Sequence, residues 1–318
     1  MWANRFYYNL KPFIPRSLRI RVRQWWANRR RRQFTHTWPI FPGSEKTPAG
    51  WPGWPEGKEF AFVLTHDVES KEGLEKCRDL MDLEMSMGFR SSFNFIPEGD
   101  YRVSRELREM LKSNGFEVGL HDLEHDGKLY LDREGFKSKA QKINGYLKEW
   151  EACGFRSGFM FHNLDWLRHL NIKYDASTFD TDPFEPQPDG AQTIFPFWVK
   201  GAIGVGEGYV ELPYTLVQDS TLFLHLQEPT NEIWRKKLDW IARHGGMALM
   251  NIHPDYMAFG AEDRGPYKYP VEFYRDFLDY VRTRYAGRYW AALPRTVADW
   301  HVRNVRKNGE ARQATVEN

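Results

Sequence analysis

A chain of 318 residues suits one large α/β domain with extensions, and its 41% apolar and 28% charged residues are typical of folded globular proteins. Two cysteines, Cys77 and Cys153, exclude a disulfide framework and a CxxC zinc site. The absence of any run of about 18 apolar residues excludes a membrane-spanning helix, and the first residues lack the apolar stretch of a secretory signal. We therefore expect a cytoplasmic protein.

Charge divides the sequence into a basic arm and an acidic body. The arm, residues 1–44, contains ten lysines and arginines and no acid. Because the whole chain has a net charge of +2, the remainder carries a net charge of −8. We expect three regions: the basic arm over 1–44, a barrel domain over 45–305 and a polar tail over 306–318.

The arm is predicted to contain one helix, Arg16–Gln33, with apolar side chains near one face and arginines around them. The apolar side chains are Leu18, Val22, Trp25 and Trp26. A basic helix that carries tryptophans favours an anionic membrane surface, so we expect residues 1–33 to contact the inner face of a membrane. A solvated tail is one alternative, and nucleic acid is a less favoured one because no nucleic-acid-binding fold is visible.

Strand-like and helix-like segments alternate along the body. The predicted strands are Phe60–Thr65, Ser91–Ile96, Glu117–Leu120, Gly158–Phe161 and Met247–Ile252. The predicted helices are Gly73–Met87, Arg105–Asn114, Gly135–Cys153, Leu164–Leu170, Ile233–His244 and Val271–Tyr285. Alternating units of this kind predict an α/β fold with a parallel sheet or barrel. In such barrels function lies at the C-terminal ends of the strands, so polar residues directly after a strand are candidates.

The first polar cluster, Thr65–Glu69, begins at the end of the first predicted strand. In an extended segment Asp67 and Glu69 point to the same side, and two neighbouring carboxylates repel unless a cation or a proton lies between them. A divalent metal would supply that cation. The alternative is structural, with Asp67 or Ser70 capping the following helix.

The second cluster begins after the third predicted strand and contains His121 and His125. Two histidines four residues apart on a helical turn present both imidazoles to one side, as a shared metal ion requires. The same spacing also occurs on solvated helices. Its position just past an apolar strand favours the metal site.

The third cluster, Met250–Tyr256, includes the last predicted strand's end and His253. A histidine there is either a structural hydrogen-bonding group or a general acid–base group. One carboxylate and two histidines from the other clusters would leave metal positions open for water and substrate. That arrangement is typical of a catalytic metal rather than a structural one.

The order of these motifs resembles that of the polysaccharide deacetylases, the NodB-homology group of carbohydrate esterases. The matching segments are Thr65–Glu69, Ser91–Phe95, His121–His125, Phe155–Phe159 and Ile252–Asp255. The resemblance implies a distorted (β/α) barrel and a divalent metal such as zinc. It also implies a hydrolase that removes an acyl group, such as N-acetyl, from a carbohydrate, for example a cell-surface polysaccharide or its precursor.

Carried over residue by residue, the resemblance makes His121 and His125 metal ligands. Glu69 resembles the third ligand of relatives that have an acid-x-acid motif, although Asp67 could take that place. With Glu69 on the metal, Asp67 would be the general base that activates water.

The same resemblance makes His253 the general acid that protonates the leaving nitrogen. Arg156 would orient the base, Asp67, through a charged hydrogen bond, which suits a guanidinium group. Three further residues are candidates for substrate contact: Asp175 in an acid-rich segment, Trp166 as a stacking platform, and His162 after a predicted strand.

The sequence also departs from the family pattern. Val68 separates the two acids, Asp122 stands between the histidines, and Ser157 occupies the place of a proline. The substrate therefore does not carry over. An amidase or imidase of the same barrel acting on a small metabolite is one alternative, and a non-catalytic sugar-binding barrel is another.

Overall fold

The structure, a computed structural model, describes residues 16–201 and 207–306. The strands are β1 (Phe60–Val68), β2 (Ser92–Phe95), β3 (Glu117–His121), β4 (Gly154–Arg156), β5 (Tyr174–Asp175), β6 (Phe197–Lys200), β7 (Gly208–Glu211), β8 (Met247–Ile252), β9 (Met257–Ala258), β10 (Tyr269–Pro270) and β11 (Tyr289–Ala291). The α-helices are α1 (Arg16–Gln33), α2 (Lys71–Glu75), α3 (Cys77–Met87), α4 (Arg105–Ser113), α5 (Arg133–Trp150), α6 (Leu164–Leu167), α7 (Glu232–His244), α8 (Glu272–Arg284) and α9 (Pro294–His301).

One curled sheet organises the body. Its strands run in the order β11-β1-β2-β3-β4-β5-β7-β6, and β8 pairs with β1 outside this path. All neighbours are parallel except β6 and β7. Just past β7, Leu216 forms a parallel bridge with Met250 of β8, which brings the two ends of the curl together. The predicted α/β fold with a distorted barrel is confirmed.

Strand β1 lies at the centre of this arrangement, and all nine of its residues are buried. One edge pairs with β8 over Ala61–His66. The other edge pairs with β11 near its start and with β2 over Thr65–Val68. A strand covered on both faces needs a continuous apolar run, which explains the sequence before the first polar cluster. The polar end of β1 is thereby placed beside the ends of β2 and β8.

Local sequence signals set several helix ends. Ser104 and Asp132 accept hydrogen bonds from the first turns of α4 and α5. The helix predicted over Gly73–Met87 is divided at Lys76 into α2 and α3. Ser70, one of the two predicted capping residues, caps α2 through an Oγ that accepts from the Gly73 N–H.

The region around β4 differs from the prediction. The expected strand Gly158–Phe161 is wrong, because Gly158–Met160 forms a 3₁₀ turn and the strand is Gly154–Arg156. Helix α5 ends at Trp150 rather than Cys153, since Glu151 adopts a left-handed φ of 53°. A strand of three residues carries too few side chains to show alternation.

Helix α1 has the bounds that the sequence predicts. It packs against the body through buried Ala27, and its Gln24 Nε2 donates to the Leu224 carbonyl at 2.9 Å. Arg31 also forms an ion pair with Glu228. The expectations for residues 1–15 of the arm and 307–318 of the tail lie outside the described residues. No helix within the described ranges is both long and apolar enough to cross a membrane.

Candidate metal centre and catalytic site

Three side chains converge at the C-terminal ends of β1 and β3. Ligand atoms of Glu69, His121 and His125 all lie within 4.8 Å of one another. Glu69 Oε1 is 3.2 Å from His125 Nε2 and 3.9 Å from His121 Nε2. Ligands about 2.1 Å from a tetrahedral zinc ion would lie roughly 3.4 Å apart, between these two distances.

The two imidazoles also have the hydrogen-bonding state that a metal requires. Both Nε2 atoms are buried and make no hydrogen bond. Buried polar atoms normally have a partner, so two orphaned nitrogens facing one carboxylate need an explanation. The Nδ1 atom of His121 lies 3.2 Å from the Arg156 carbonyl, which selects the tautomer with its lone pair on Nε2. The residues present therefore fit a divalent cation.

The backbone places His125 by a route that the sequence did not predict. His121 is the last residue of β3, but the following residues do not form a helical turn. Asp122 and His125 instead have left-handed φ values of 59° and 52°. Gly158 lies so close that a Cβ there would be 2.5 Å from the Asp122 carboxylate and 2.8 Å from the His125 ring. The predicted helical turn is therefore wrong, although both imidazoles still reach Glu69.

Asp67 lies beside this triad inside the barrel, where it is 1% exposed. Its Oδ1 accepts hydrogen bonds from Asn94 Nδ2 at 2.9 Å and from Arg156 at 3.2 Å. Its Oδ2 accepts from Asn251 Nδ2 at 2.8 Å and is 3.9 Å from His121 Nδ1. Burial alone raises the pKa of Asp67, but Arg156 and His121 outweigh it and hold the pKa well below its usual range.

Arg156 holds this network together from the end of β4. The side chain is fully buried, and its Nε donates to the Ala176 carbonyl at 2.7 Å. One terminal nitrogen donates to Thr65 Oγ1 at 2.8 Å and to Asn251 Oδ1 at 2.6 Å, besides its contact with Asp67. A guanidinium can satisfy several acceptors in fixed directions, so this side chain orients the carboxylate.

His253 approaches the triad from the end of β8. Its Nε2 is 3.8 Å from Glu69 Oε1. Its Nδ1 is 2.7 Å from Asp219 Oδ1, and its backbone N–H donates to Asp219 Oδ2 at 2.8 Å. Tyr269 also donates to Asp219 Oδ2, at 3.0 Å. Burial alone lowers the pKa of His253, but the Asp219 carboxylate outweighs it and raises the pKa to about 10.

Sequence reasoning missed three functional neighbours. Asn94 lies within the family-like motif on β2, and Asn251 lies within the third polar cluster at the end of β8, but their contacts with Asp67 depend on the strand order. Asp219 precedes the π-helical turn Ser220–His225, in a segment without periodic pattern or strand end. No signal in the sequence connects it to His253.

The three residues predicted to contact substrate differ in burial and in the groups they contact. Asp175, which the sequence predicts to line a substrate groove, is fully buried and accepts hydrogen bonds from Ser177. Trp166 is half-buried and packs against Tyr130 and Phe136. The His162 side chain is 8% exposed, and its Nδ1 lies 2.9 Å from the Met160 carbonyl.

A second buried acidic group is connected to the site through Gln218. Gln218 accepts from Asn251 at 3.3 Å and donates to Glu185 at 2.6 Å. Tyr214 places its hydroxyl 2.9 Å from both Glu185 Oε1 and Asp182 Oδ2. One hydroxyl proton cannot serve both acceptors, and a proton on either carboxyl would supply the second hydrogen bond. Burial agrees with this, since it raises the pKa of Glu185 to about 8 and of Asp182 to about 7.

The sequence matches no protein-family model and no curated protein. Solved structures do match. A protein from Mycobacterium smegmatis described as a polysaccharide deacetylase aligns with a TM-score of 0.58 and 19% identity, over 81% of this chain and 94% of that one.

Two further structures align at lower TM-scores. A peptidoglycan deacetylase from Bacillus subtilis has a TM-score of 0.46 and 12% identity, over 82% of this chain and 98% of that one. A family 4 carbohydrate esterase from Streptomyces lividans has a TM-score of 0.41 and 11% identity, over 71% of this chain and 90% of that one. The likeness to the mycobacterial protein shows that this chain has a polysaccharide deacetylase-like fold.

Proposed function

We propose that the protein is a metal-dependent hydrolase that removes an acyl group, N-acetyl in particular, from a carbohydrate. The observation that carries this proposal is the pair of orphaned Nε2 atoms of His121 and His125 facing Glu69. These ligands lie between a buried carboxylate, Asp67, and a cationic imidazole, His253. Paired base and acid on either side of a metal suit amide hydrolysis.

Glu69, His121 and His125 would hold the ion, and their nitrogen and oxygen donors favour zinc. When bound, such an ion supplies a Lewis acid that polarises the acyl carbonyl and lowers the pKa of water. The chain itself fixes the direction of the ligands. The Arg156 carbonyl orients the His121 ring, so its Nε2 lone pair faces the Glu69 side and would be available to an ion bound there.

Asp67 is the proposed general base. Its low pKa keeps it ionised and therefore available as a proton acceptor across the neutral pH range. Hydrogen bonds from Asn94, Arg156 and Asn251 fix both oxygens, which limits the positions from which a water molecule can deliver a proton.

His253 is the proposed general acid. Asp219 holds Nδ1, so Nε2 is the nitrogen that faces the triad and would donate to the leaving nitrogen. The raised pKa keeps the ring protonated at neutral pH, which is the state a proton donor must have. Acid and base therefore have opposite, complementary protonation states.

The substrate class in this proposal is a carbohydrate, with a cell-surface polysaccharide or its precursor as the target. Trp166 remains a proposed contact because it is half-buried rather than enclosed. His162 remains a proposed contact as well, with a side chain that is 8% exposed. A location at the inner face of the membrane is part of the same proposal. It is supported by the basic, acid-free sequence of α1.

Metal analysis coupled to acetate release tests this function. The purified protein should contain about one equivalent of zinc and release acetate from oligomers of N-acetylglucosamine. Asp67→Asn and His253→Ala should each lower turnover by roughly two to four orders of magnitude while retaining the metal. Metal binding with release of ammonia or acid from small amides alone would favour an amidase. Sugar binding by a metal-free, inactive protein would favour the non-catalytic barrel.

A further inference from the structure

One face of α1 rests on the body and fixes the rotation of the helix. Ala27 is 1% exposed, and Trp26 packs against the main core. Gln24 donates to the Leu224 carbonyl, and Arg31 pairs with Glu228 on the same side. The expectation that Trp26 shares an outward face with Trp25 is therefore wrong. The opposite face of the helix is directed away from the body.

That outer face carries an apolar stripe. Leu18, Val22 and Trp25 are 52%, 55% and 65% exposed, at positions that align along one side of a helix. Within residues 16–201 and 207–306, Leu131 is the one other large hydrophobic side chain that is substantially exposed to solvent. Scattered exposed apolar residues are ordinary, but three aligned on one helix mark an interaction surface.

The outer face is also strongly basic. Arg21, Arg29 and Arg32 are exposed on it, and the sequence of α1 contains no acid. The Arg29 guanidinium lies 5.9 Å from the centre of the Trp25 ring, so charge and apolar surface are adjacent. We define the outer stripe as Leu18, Val22 and Trp25 with Arg21, Arg29 and Arg32.

The helix lies at the catalytic end of the barrel. Leu224, its hydrogen-bonded partner, belongs to the π-helical turn Ser220–His225. Asp219, which immediately precedes that turn, holds His253. The segment that supports α1 is therefore continuous with the segment that positions the proposed acid, and both follow the C-terminal end of β7.

We propose that the outer stripe docks on an anionic lipid bilayer, and that the enzyme acts there on carbohydrate attached to a lipid. Apolar side chains among arginines suit the boundary between anionic headgroups and acyl chains. Three side chains are too few for a stable protein interface, which covers about 800 Å² on each partner. Nucleic acid would leave the apolar stripe uncovered. The second half of the proposal rests on the deacylase function, whereas the first half does not.

Sedimentation with vesicles tests the docking. The full-length protein should sediment with vesicles that contain phosphatidylglycerol and not with pure phosphatidylcholine, and added salt should weaken the binding. The variant L18S/V22S/W25S should lose roughly tenfold or more of this binding, while its metal content and Tm are unchanged. Leu131→Ser is the matched control, since it removes an exposed hydrophobic side chain that does not belong to α1 and should bind as the wild type does.

Three results would overturn the docking. They are equal sedimentation of the triple variant and the wild type, tighter binding of duplex DNA than of anionic vesicles, and a dimer that the triple variant abolishes.

The proposal of a lipid-attached substrate is tested by measuring acetate release from N-acetylglucosamine oligomers. The oligomers are either free or coupled to phosphatidylethanolamine in the same vesicles. The triple variant should lose more activity on the tethered form. Equal losses on both forms would refute lipid-attached substrate, and no acetate from either form would refute the deacylase itself, leaving the sedimentation result intact.

Discussion

Asp219 accepts hydrogen bonds from both the backbone N–H and the ring Nδ1 of His253, at 2.8 Å and 2.7 Å. The two contacts fix the ring relative to its own backbone, so rotation about the side chain would break at least one of them. The same carboxylate raises the pKa of His253 to about 10. Orientation and protonation of the proposed acid therefore depend on one residue.

Asp219→Asn should move the alkaline limb of the pH dependence of kcat to lower pH by at least about one unit. The sign follows from the charge, because removing a carboxylate makes the imidazolium less stable and lowers the pKa of His253. A profile of kcat against pH for acetate release measures the shift. Tyr269→Phe is the control, since it removes a hydrogen bond to Asp219 but keeps the carboxylate. An unmoved limb in Asp219→Asn would show that His253 is not the acid.

His121→Ala and His125→Ala should each abolish stoichiometric zinc binding. Each removes one of three ligands, and the two that remain cannot close the site around the ion. Metal content after dialysis is the measurement, with Tm in the presence of a chelator to check the fold. His162→Ala serves as control, because it removes an imidazole outside the triad and should retain the metal. Full zinc occupancy in His121→Ala would place the ion elsewhere.

Arg156→Met should destabilise the protein by about 3–5 kcal/mol, because it leaves the buried Asp67 carboxylate without its cation. Urea unfolding measures the change in free energy. Arg288→Ala is the matched control: Arg288 pairs with Glu59 at the surface, where it is half exposed, so its loss should leave the free energy of unfolding nearly unchanged. Equal effects of the two changes would mean that Arg156 contributes no more than a surface arginine.

Glu185→Gln should flatten the pH dependence of stability between pH 6 and pH 8. The folded-state pKa of Glu185 is raised to about 8, so the stability linked to its proton is present at low pH and is lost as the pH rises through that value. One such group changes the free energy of unfolding by at most about 1.4 kcal/mol per pH unit.

Tm measured across this range tests the pH effect, with Glu207→Gln at an exposed position as control. The control should keep the slope of the wild type. Parallel curves for Glu185→Gln and the wild type would indicate that Asp182 alone carries the proton of this acidic pair.

The sequence predicted the fold because the alternation of strands and helices is a property of local segments. The buried run of β1, the helix α1 and the stop at Gly88 are all visible in composition and spacing. The short strand β4 was misplaced because three residues carry no periodicity. Asp175 was expected to line a substrate groove because it lies in an acid-rich segment, whereas its complete burial depends on how the whole barrel packs.

The candidate site was predictable where its residues follow strands, as His121 and His253 do. Asp219 was not, because its contact with His253 joins residues 34 positions apart through an irregular segment. The path of the chain between His121 and His125 was not predictable either. Left-handed conformations at two residues that are not glycine depend on surrounding contacts, such as the close approach of Gly158.

The pairing of β1 with β8 has a consequence for biosynthesis. Asn251 of β8 contacts Asp67 of β1 across 184 residues of chain. Until the ribosome has released β8, one whole edge of the apolar strand β1 lacks its native partner, and the contact order of the completed barrel is correspondingly high. The nascent chain therefore leaves this edge of β1 unpaired during most of its synthesis, and unpaired strand edges are prone to aggregation.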